Sequence, residues 1–255
     1  MGFRGVATKP LARNDQVGGV DRGVAVTCAL PDGSLLVCRG FRAEARDEIA
    51  RLGRLREQHP KFSPAWKKAN RAIAKAYARA HRRSENWARH TAREVVARYG
   101  VIAIEDLKLT SMTRSARGTT ENPGKGVAAK RGLNPSLQDA ALGRLAYWIC
   151  VKAEEAGRRV WKVDPKNSSR ECIACGHTEQ GNRHRARFSC LACGHEAHAD
   201  VNAAQVLTTR GQVAESAWTA NGCPLLVRPV PHNRRRRSQT DETYGAGSAP
   251  HATAA

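Results

Sequence analysis

The sequence predicts an α/β fold, a mixed sheet with flanking helices, interrupted by an inserted four-cysteine zinc ribbon. Three observations carry this. β-favouring residues flank a Pro31-Asp32-Gly33 turn, which makes a hairpin of residues 18–38. Two short apolar runs, Val101–Leu107 and Arg159–Val163, each follow a helix-period segment. Between Val163 and Leu207, Cys172-Ile-Ala-Cys175 and Cys190-Leu-Ala-Cys193 are each followed by Gly-His, giving two CxxC knuckles 14 residues apart. Each knuckle brings two thiolates to one ion from a single tight turn, and two knuckles complete a tetrahedral all-cysteine site. The competing readings are two disulfides or a redox dithiol. Neither a secretory signal nor an apolar span of membrane length is present, so a reducing compartment and zinc are expected.

At 255 residues the chain suits one ordinary domain plus a small insertion. Forty-three Lys+Arg against 23 Asp+Glu give a net charge of +20, which points to a polyanionic partner, nucleic acid before all others. No small-molecule substrate and no membrane contact are expected. Four further cysteines, Cys28, Cys38, Cys150 and Cys223, are scattered, and the first three read as small buried apolar residues.

Taken in order, residues 1–15 read as a leader. In the first strand Asp21 sits among apolar neighbours and glycines; a buried acid there is costly unless it is paired or holds a metal. Residues 43–58 and 64–98 read as two helices broken by Pro60 and Pro64, together a basic helical insertion over 43–98. In the second helix Trp66, Ile73, Tyr77, Ala80, Trp87, Thr91 and Val95 recur at helical steps and mark the expected buried face. Lys68, Arg71, Lys75, Arg79, Arg82, Arg89 and Arg93 form a stripe on another side. Ten basic residues and one acid, Glu85, lie between Lys61 and Arg93, whereas a merely solvated face mixes both signs. The stripe is therefore read as tracking a phosphate backbone.

The strand Val101-Ile-Ala-Ile104 ends in Glu105 and Asp106. Carboxylates at the carboxyl end of a central strand are where α/β sheets place their chemistry; alternation turns Asp106 away from Glu105. Residues 108–132 read as a mobile basic loop. Asn134-Pro135 caps a helix that Gly157 ends, and the strand Arg159–Val163 leads into the ribbon. Asp200 then opens a short apolar helix. It is either a first-turn acid favoured by the helix dipole or a carboxylate delivered by the ribbon to a metal site. Converging with Asp21 and Glu105, it would complete a set able to hold two divalent cations. All-oxygen donors suit Mg²⁺ or Mn²⁺. The tail, with Cys223 and the run Arg234–Arg237, reads as disordered.

Val20-Asp21-Arg22-Gly23, Ile104-Glu105-Asp106-Leu107, the two CxxCGH knuckles and Asp200-Val-Asn202-Ala-Ala together resemble the RuvC-type nuclease half of the TnpB/OrfB-type transposase family, which is related to compact type V CRISPR effectors. The resemblance covers about residues 16–209. It implies an RNase H-like (RuvC-type) core of residues 16–163 plus 197–212, with Asp21, Glu105 and Asp200 as catalytic metal-binding acids. It further implies a zinc ribbon over 164–196 with Cys172, Cys175, Cys190 and Cys193 as ligands, and a basic tail over 213–255. The implied activity is two-metal hydrolysis of DNA phosphodiesters, directed by a guide RNA in the intact family, in a bacterial, cytoplasmic and nucleoid-associated setting. Family members also carry an amino-terminal region comparable in size to the nuclease half. Asp21 lies twenty residues from Met1, so the sequence is expected to lack that region, as a truncated copy, a mis-called start or a separately used module. His198-Ala199 precedes Asp200 where an Arg-Asp pair is expected; His198, His177, His184 and His195 are assigned no catalytic role. The alternative function is a catalytically silent, nucleic-acid-binding zinc-ribbon protein.

Overall fold

A computed structural model of the chain describes residues 11–109, 112, 134–137 and 139–221. Most of the loop expected over 108–132, together with Cys223 and the run Arg234–Arg237, lies outside the described residues.

Three parallel strands form the centre: β1 (Val17–Val20), β4 (Val101–Glu105) and β5 (Arg159–Val163), in the order β1-β4-β5. The hairpin is present, in shorter strands than the sequence suggests: β2 (Cys28–Ala29) pairs antiparallel with β3 (Leu35–Leu36). It joins the centre through Asp21 and Ala29, which exchange backbone hydrogen bonds of 3.1 and 2.9 Å. The spatial order is thus β3-β2-β1-β4-β5, antiparallel up to β1 and parallel beyond it. β4 is buried over its whole length, as its unbroken apolar run requires.

The helices α1 (Phe41–Glu44), α2 (Arg46–Glu57) and α3 (Pro64–Arg98) follow the hairpin. Ser63 caps α3, accepting a 3.2 Å bond from the Trp66 amide, with Pro64 in the first turn. The buried face of α3 differs from the expected one. Ala69, Ala76, Ala80, Ser84, Ala88, Thr91, Ala92, Val95 and Val96 are buried, while Trp66, Ile73 and Trp87 are half-buried and Tyr77 is 41% exposed. Small residues let neighbouring helices approach the α3 backbone closely, and the large rings lie along the flanks.

The expected helix from Asn134 to Gly157 is in two pieces. Residues 134–137 are helical, the backbone turns at Ala141 with φ 55°, and α4 (Leu142–Glu155) begins there. One core, including Val20, Leu30, Val95, Ile102, Ile104, Leu145 and Ile149, lies between the sheet, α3 and α4. The other face is covered by α5 (Ala199–Asn221), whose Leu207 packs with Val101, Ala103, Trp161 and Val163 of the sheet. This helix extends to Asn221, past residue 213, where the tail is expected to begin. Between β5 and α5 lie a 3-10 turn (Gln180–Asn182) and the small antiparallel sheet β6 (Arg183–His184), β7 (Arg187–Ser189) and β8 (Glu196–His198).

Candidate active site and zinc centre

Register places the first two acids side by side. Val20 pairs with Ile104, so Asp21 and Glu105 follow as neighbours at the carboxyl ends of parallel β1 and β4. Asp106 is exposed, as alternation requires, with Lys162 Nζ 4.0 Å from it.

The third acid arrives through the packing of α5. A Cβ on Gly19 would lie 2.2 Å from the Ala204 carbonyl oxygen, so only glycine lets the helix come this close. The Thr208 hydroxyl accepts a 2.8 Å bond from the Gly19 amide at the same place. Further along, a Cβ on Gly211 would lie 3.2 Å from Val17 Cγ1, at the start of β1. Helix numbers rise as strand numbers fall, so α5 runs antiparallel to β1. Its amino end, with Asp200 in the first turn, therefore sits at the end of the sheet that carries Asp21 and Glu105.

Asp21, Glu105 and Asp200 are buried, with 9%, 6% and 7% exposure. Burial, then the charges of Glu105 and Asp200, push the Asp21 carboxyl up to about 8. Glu105 is also raised, chiefly by burial, against the pull of Arg22. Two buried carboxyl groups with raised proton affinity, beside a third buried acid, are a place for added positive charge. The trio does not form a one-ion cage: among the described residues only the four cysteines have ligand atoms all within 4.8 Å of one another. A pair of ions about 3.5–4 Å apart needs a wider set.

Several side chains that the sequence did not single out hold these acids. Arg22 is buried and donates to the Glu105 backbone oxygen at 2.5 Å and to the Leu142 oxygen at 3.2 Å, tying β1, β4 and α4 together. Its Nε has no hydrogen-bond partner among the described residues. Arg183 Nη2 lies 2.6 Å from Asp200 Oδ1, and Ser168 Oγ donates to Glu105 Oε1 at 3.4 Å. Arg22 stood in a recognised tetrapeptide, and only the fold shows that it is buried; no spacing signal marks Arg183 or Ser168.

The cysteine set forms as expected. Cys172 Sγ lies 3.7 Å from Cys193 Sγ, and Cys175 Sγ 3.6 Å from Cys190 Sγ. A disulfide needs about 2.05 Å, whereas tetrahedral thiolates at about 2.3 Å from zinc lie about 3.8 Å apart. The donor set therefore fits a zinc ion. The two knuckles repeat one backbone pattern: the Cys172 amide donates to the His177 oxygen and the Cys190 amide to the His195 oxygen, both at 2.9 Å. Two buried asparagines knit the ribbon. Asn182 donates to the Arg170 oxygen and accepts from the Leu191 amide. Asn202, on α5, accepts from the Ile173 amide at 3.2 Å and donates to the Glu171 oxygen at 2.7 Å. The first knuckle is thus bound to the helix turn that carries Asp200. His198 lies on β8, its Nδ1 3.3 Å from the Asp200 amide, and His177 pairs with Glu179.

All seven residues of the basic stripe are exposed. Arg79 faces Glu48 at 3.7 Å and Arg89 stacks 4.2 Å over the Trp148 ring.

Residues 143–207 match the family model described as Cas12f1-like, TNB domain. The chain is 32% identical over 215 residues to the putative RNA-guided DNA endonuclease InsQ of Escherichia coli K12, a match that covers 83% of this chain and 54% of InsQ. The chain is a relative of the TnpB/OrfB-type family. It spans about half the length of InsQ. Over 70 residues it is 53% identical to the CRISPR-associated endodeoxyribonuclease Cas12f1 of Sulfoacidibacillus thermotolerans, covering 27% of this chain and 17% of that protein. A cryo-EM structure of a Cas12f1-sgRNA-target DNA complex aligns with 78% of this chain and 51% of its own, at 20% identity and a TM-score of 0.49. Among the described residues no helix is long and apolar enough to cross a membrane.

Proposed function

We propose that the chain is the nuclease part of an RNA-guided DNA endonuclease, with an RNase H-like core that hydrolyses DNA phosphodiesters at Asp21, Glu105 and Asp200. One observation carries the reading: three buried acids from three separate elements come together at one end of the sheet, close enough that the charges of Glu105 and Asp200 add to burial in raising Asp21. The strand order β3-β2-β1-β4-β5, antiparallel then parallel, supports the RNase H-like assignment. The kinship with InsQ supports the substrate and a guide RNA as partner.

The three carboxylates would hold two hard cations, Mg²⁺ or Mn²⁺, and Cys172, Cys175, Cys190 and Cys193 a structural zinc. When bound, such a cation pair activates water and stabilises a leaving oxygen during in-line displacement at phosphorus. The chain supplies the rest. Arg22 fixes the end of β4, so that Glu105 cannot turn away. Asn202 and the ribbon fix the first turn of α5, and with it Asp200. Arg183, 70% buried beside Asp200, holds that carboxylate in place. Lys68, Arg71, Lys75, Arg79, Arg82, Arg89 and Arg93 position a phosphate backbone without reading its sequence.

Incubation with single-stranded DNA and Mg²⁺ or Mn²⁺ tests the proposal. The wild-type chain is expected to cleave, and the Asp21→Ala/Glu105→Ala double variant to leave the strand intact. If neither cleaves, the enzyme reading fails for this chain. A second reading, a silent nucleic-acid-binding module, is favoured by the +20 charge; it requires binding that survives loss of the acids.

A further inference from the structure

We propose that the groove between α1, α3 and α4 is a subsite for an unpaired nucleotide of a nucleic-acid strand, with Tyr77 as the stacking platform. This deepens the nuclease reading and rests on it for the chemistry of the ligand. Two adjoining cavities of about 410 and 290 Å³ share Arg42, Tyr77 and Asp139. Volumes of this order suit a small ligand or one unit of a polymer. The first cavity adds His81 and Arg144, the second Arg46, so three arginines face a single carboxylate among the described lining residues.

The groove is organised. Arg144 is held by Ser84 Oγ at 2.8 Å and by Glu85 at 3.7 Å, and Asp139 Oδ1 accepts from the Arg42 amide at 3.3 Å. The Arg42 guanidinium lies 5.4 Å from the centre of the Tyr77 ring, which stays 41% exposed on a helix whose buried face is built of small and β-branched residues. An accessible ring among cations is the pairing that single strands use: the base stacks on the ring, and its flanking phosphates meet the guanidinium groups. The base must be unpaired, because in a duplex both of its faces are covered by neighbours. Asp139 and Ser84 add hydrogen-bonding groups for a base edge or a sugar hydroxyl. The wall that carries Arg144 starts two residues earlier at Leu142, whose oxygen is held by Arg22, the neighbour of Asp21. A strand lying in the groove thus runs along an element anchored at the acid cluster.

Fluorescence anisotropy in EDTA, with labelled oligodeoxythymidylate and oligouridylate, tests this without cleavage. Tyr77→Ala is expected to weaken binding of at least one strand by about tenfold. Tyr77→Phe should bind as wild type, and Tyr77→Ala should leave the salt slope unchanged because no charge is lost. Arg42→Ala should lower that slope by about 0.7. A blunt duplex of equal length should not sense Tyr77→Ala. Equal affinities of Tyr77→Ala and wild type on both strands would overturn the subsite, as would Tyr77→Phe binding as weakly as Tyr77→Ala. A chain that cleaves DNA yet ignores Tyr77→Ala refutes the subsite alone. One that senses Tyr77→Ala yet never cleaves refutes the nuclease reading alone.

Discussion

Asp21 shows how a single side chain can oppose the fold that holds it. In the metal-free protein its carboxyl is pushed up to about 8 from an ordinary value of 3.8, first by burial and then by Glu105 and Asp200. The folded state therefore binds this proton more tightly than the unfolded chain does. The sign follows from linkage: the stabilising contribution is complete below about pH 4 and is lost as the pH rises towards about 8. In EDTA the melting temperature should fall between about pH 5 and 8.5. Asp21→Asn should flatten that fall and be the more stable protein at the alkaline end. Mn²⁺ should raise the melting temperature of wild type at pH 8 far more than that of Asp21→Asn. Parallel profiles of the two proteins, measured by calorimetry, would mean that Asp21 is not under this electrostatic load. Arg183 and then Arg22 relieve part of the load on Asp21, but less than burial and the neighbouring carboxyl groups add to it.

At the scale of elements, the ribbon acts as a clamp on α5. Asn202 binds the Ile173 amide and the Glu171 oxygen, and Arg210, further along the same helix, pairs with the Glu171 carboxylate and donates to the Asp164 oxygen at 2.5 Å. Losing the zinc should loosen the first turn of α5 before it unfolds the sheet, because the helix has a separate, apolar contact with β1, β4 and β5. Metal analysis should find about one zinc per chain, lost in Cys172→Ser. Hydrogen exchange over residues 199–203 should then quicken, while residues 101–105 stay protected. Asn202→Ala should quicken the same helix turn with zinc retained, at a stability cost of about 1–3 kcal/mol for the backbone groups it leaves unpaired. Equal protection of residues 199–203 in all three proteins would show that the ribbon does not hold α5.

Over the whole molecule the excess of positive charge should govern affinity for nucleic acid. Of the seven stripe residues, Lys68, Arg71, Lys75, Arg82 and Arg93 are exposed on one side of α3, apart from the Glu48 and Trp148 contacts made by Arg79 and Arg89. Binding to single-stranded DNA should weaken steeply with salt as counterions are released. Replacing those five by alanine should reduce the log–log slope by up to about 0.7 per residue removed. An unchanged slope would place the bound strand on another face.

The sequence by itself determined which residues are candidates for the chemistry and the local structure around them. Two CxxC turns, an acid ending an apolar strand and an acid opening a helix are short-range patterns, legible because backbone periodicity and ligand spacing act over a few residues. The strands β4 and β5, the proline that opens α3 and the basic stripe belong to the same class. Only the tertiary structure decided what those residues meet. The side-by-side placement of Asp21 and Glu105 depends on parallel register between strands about eighty residues apart, and the arrival of Asp200 on a helix that can approach only because residue 19 is glycine. The same holds for the buried face of α3. Hydrophobicity favoured its large rings, but close helix packing selected its alanines, since interaxial distance is set by the neighbour and not by the helix itself.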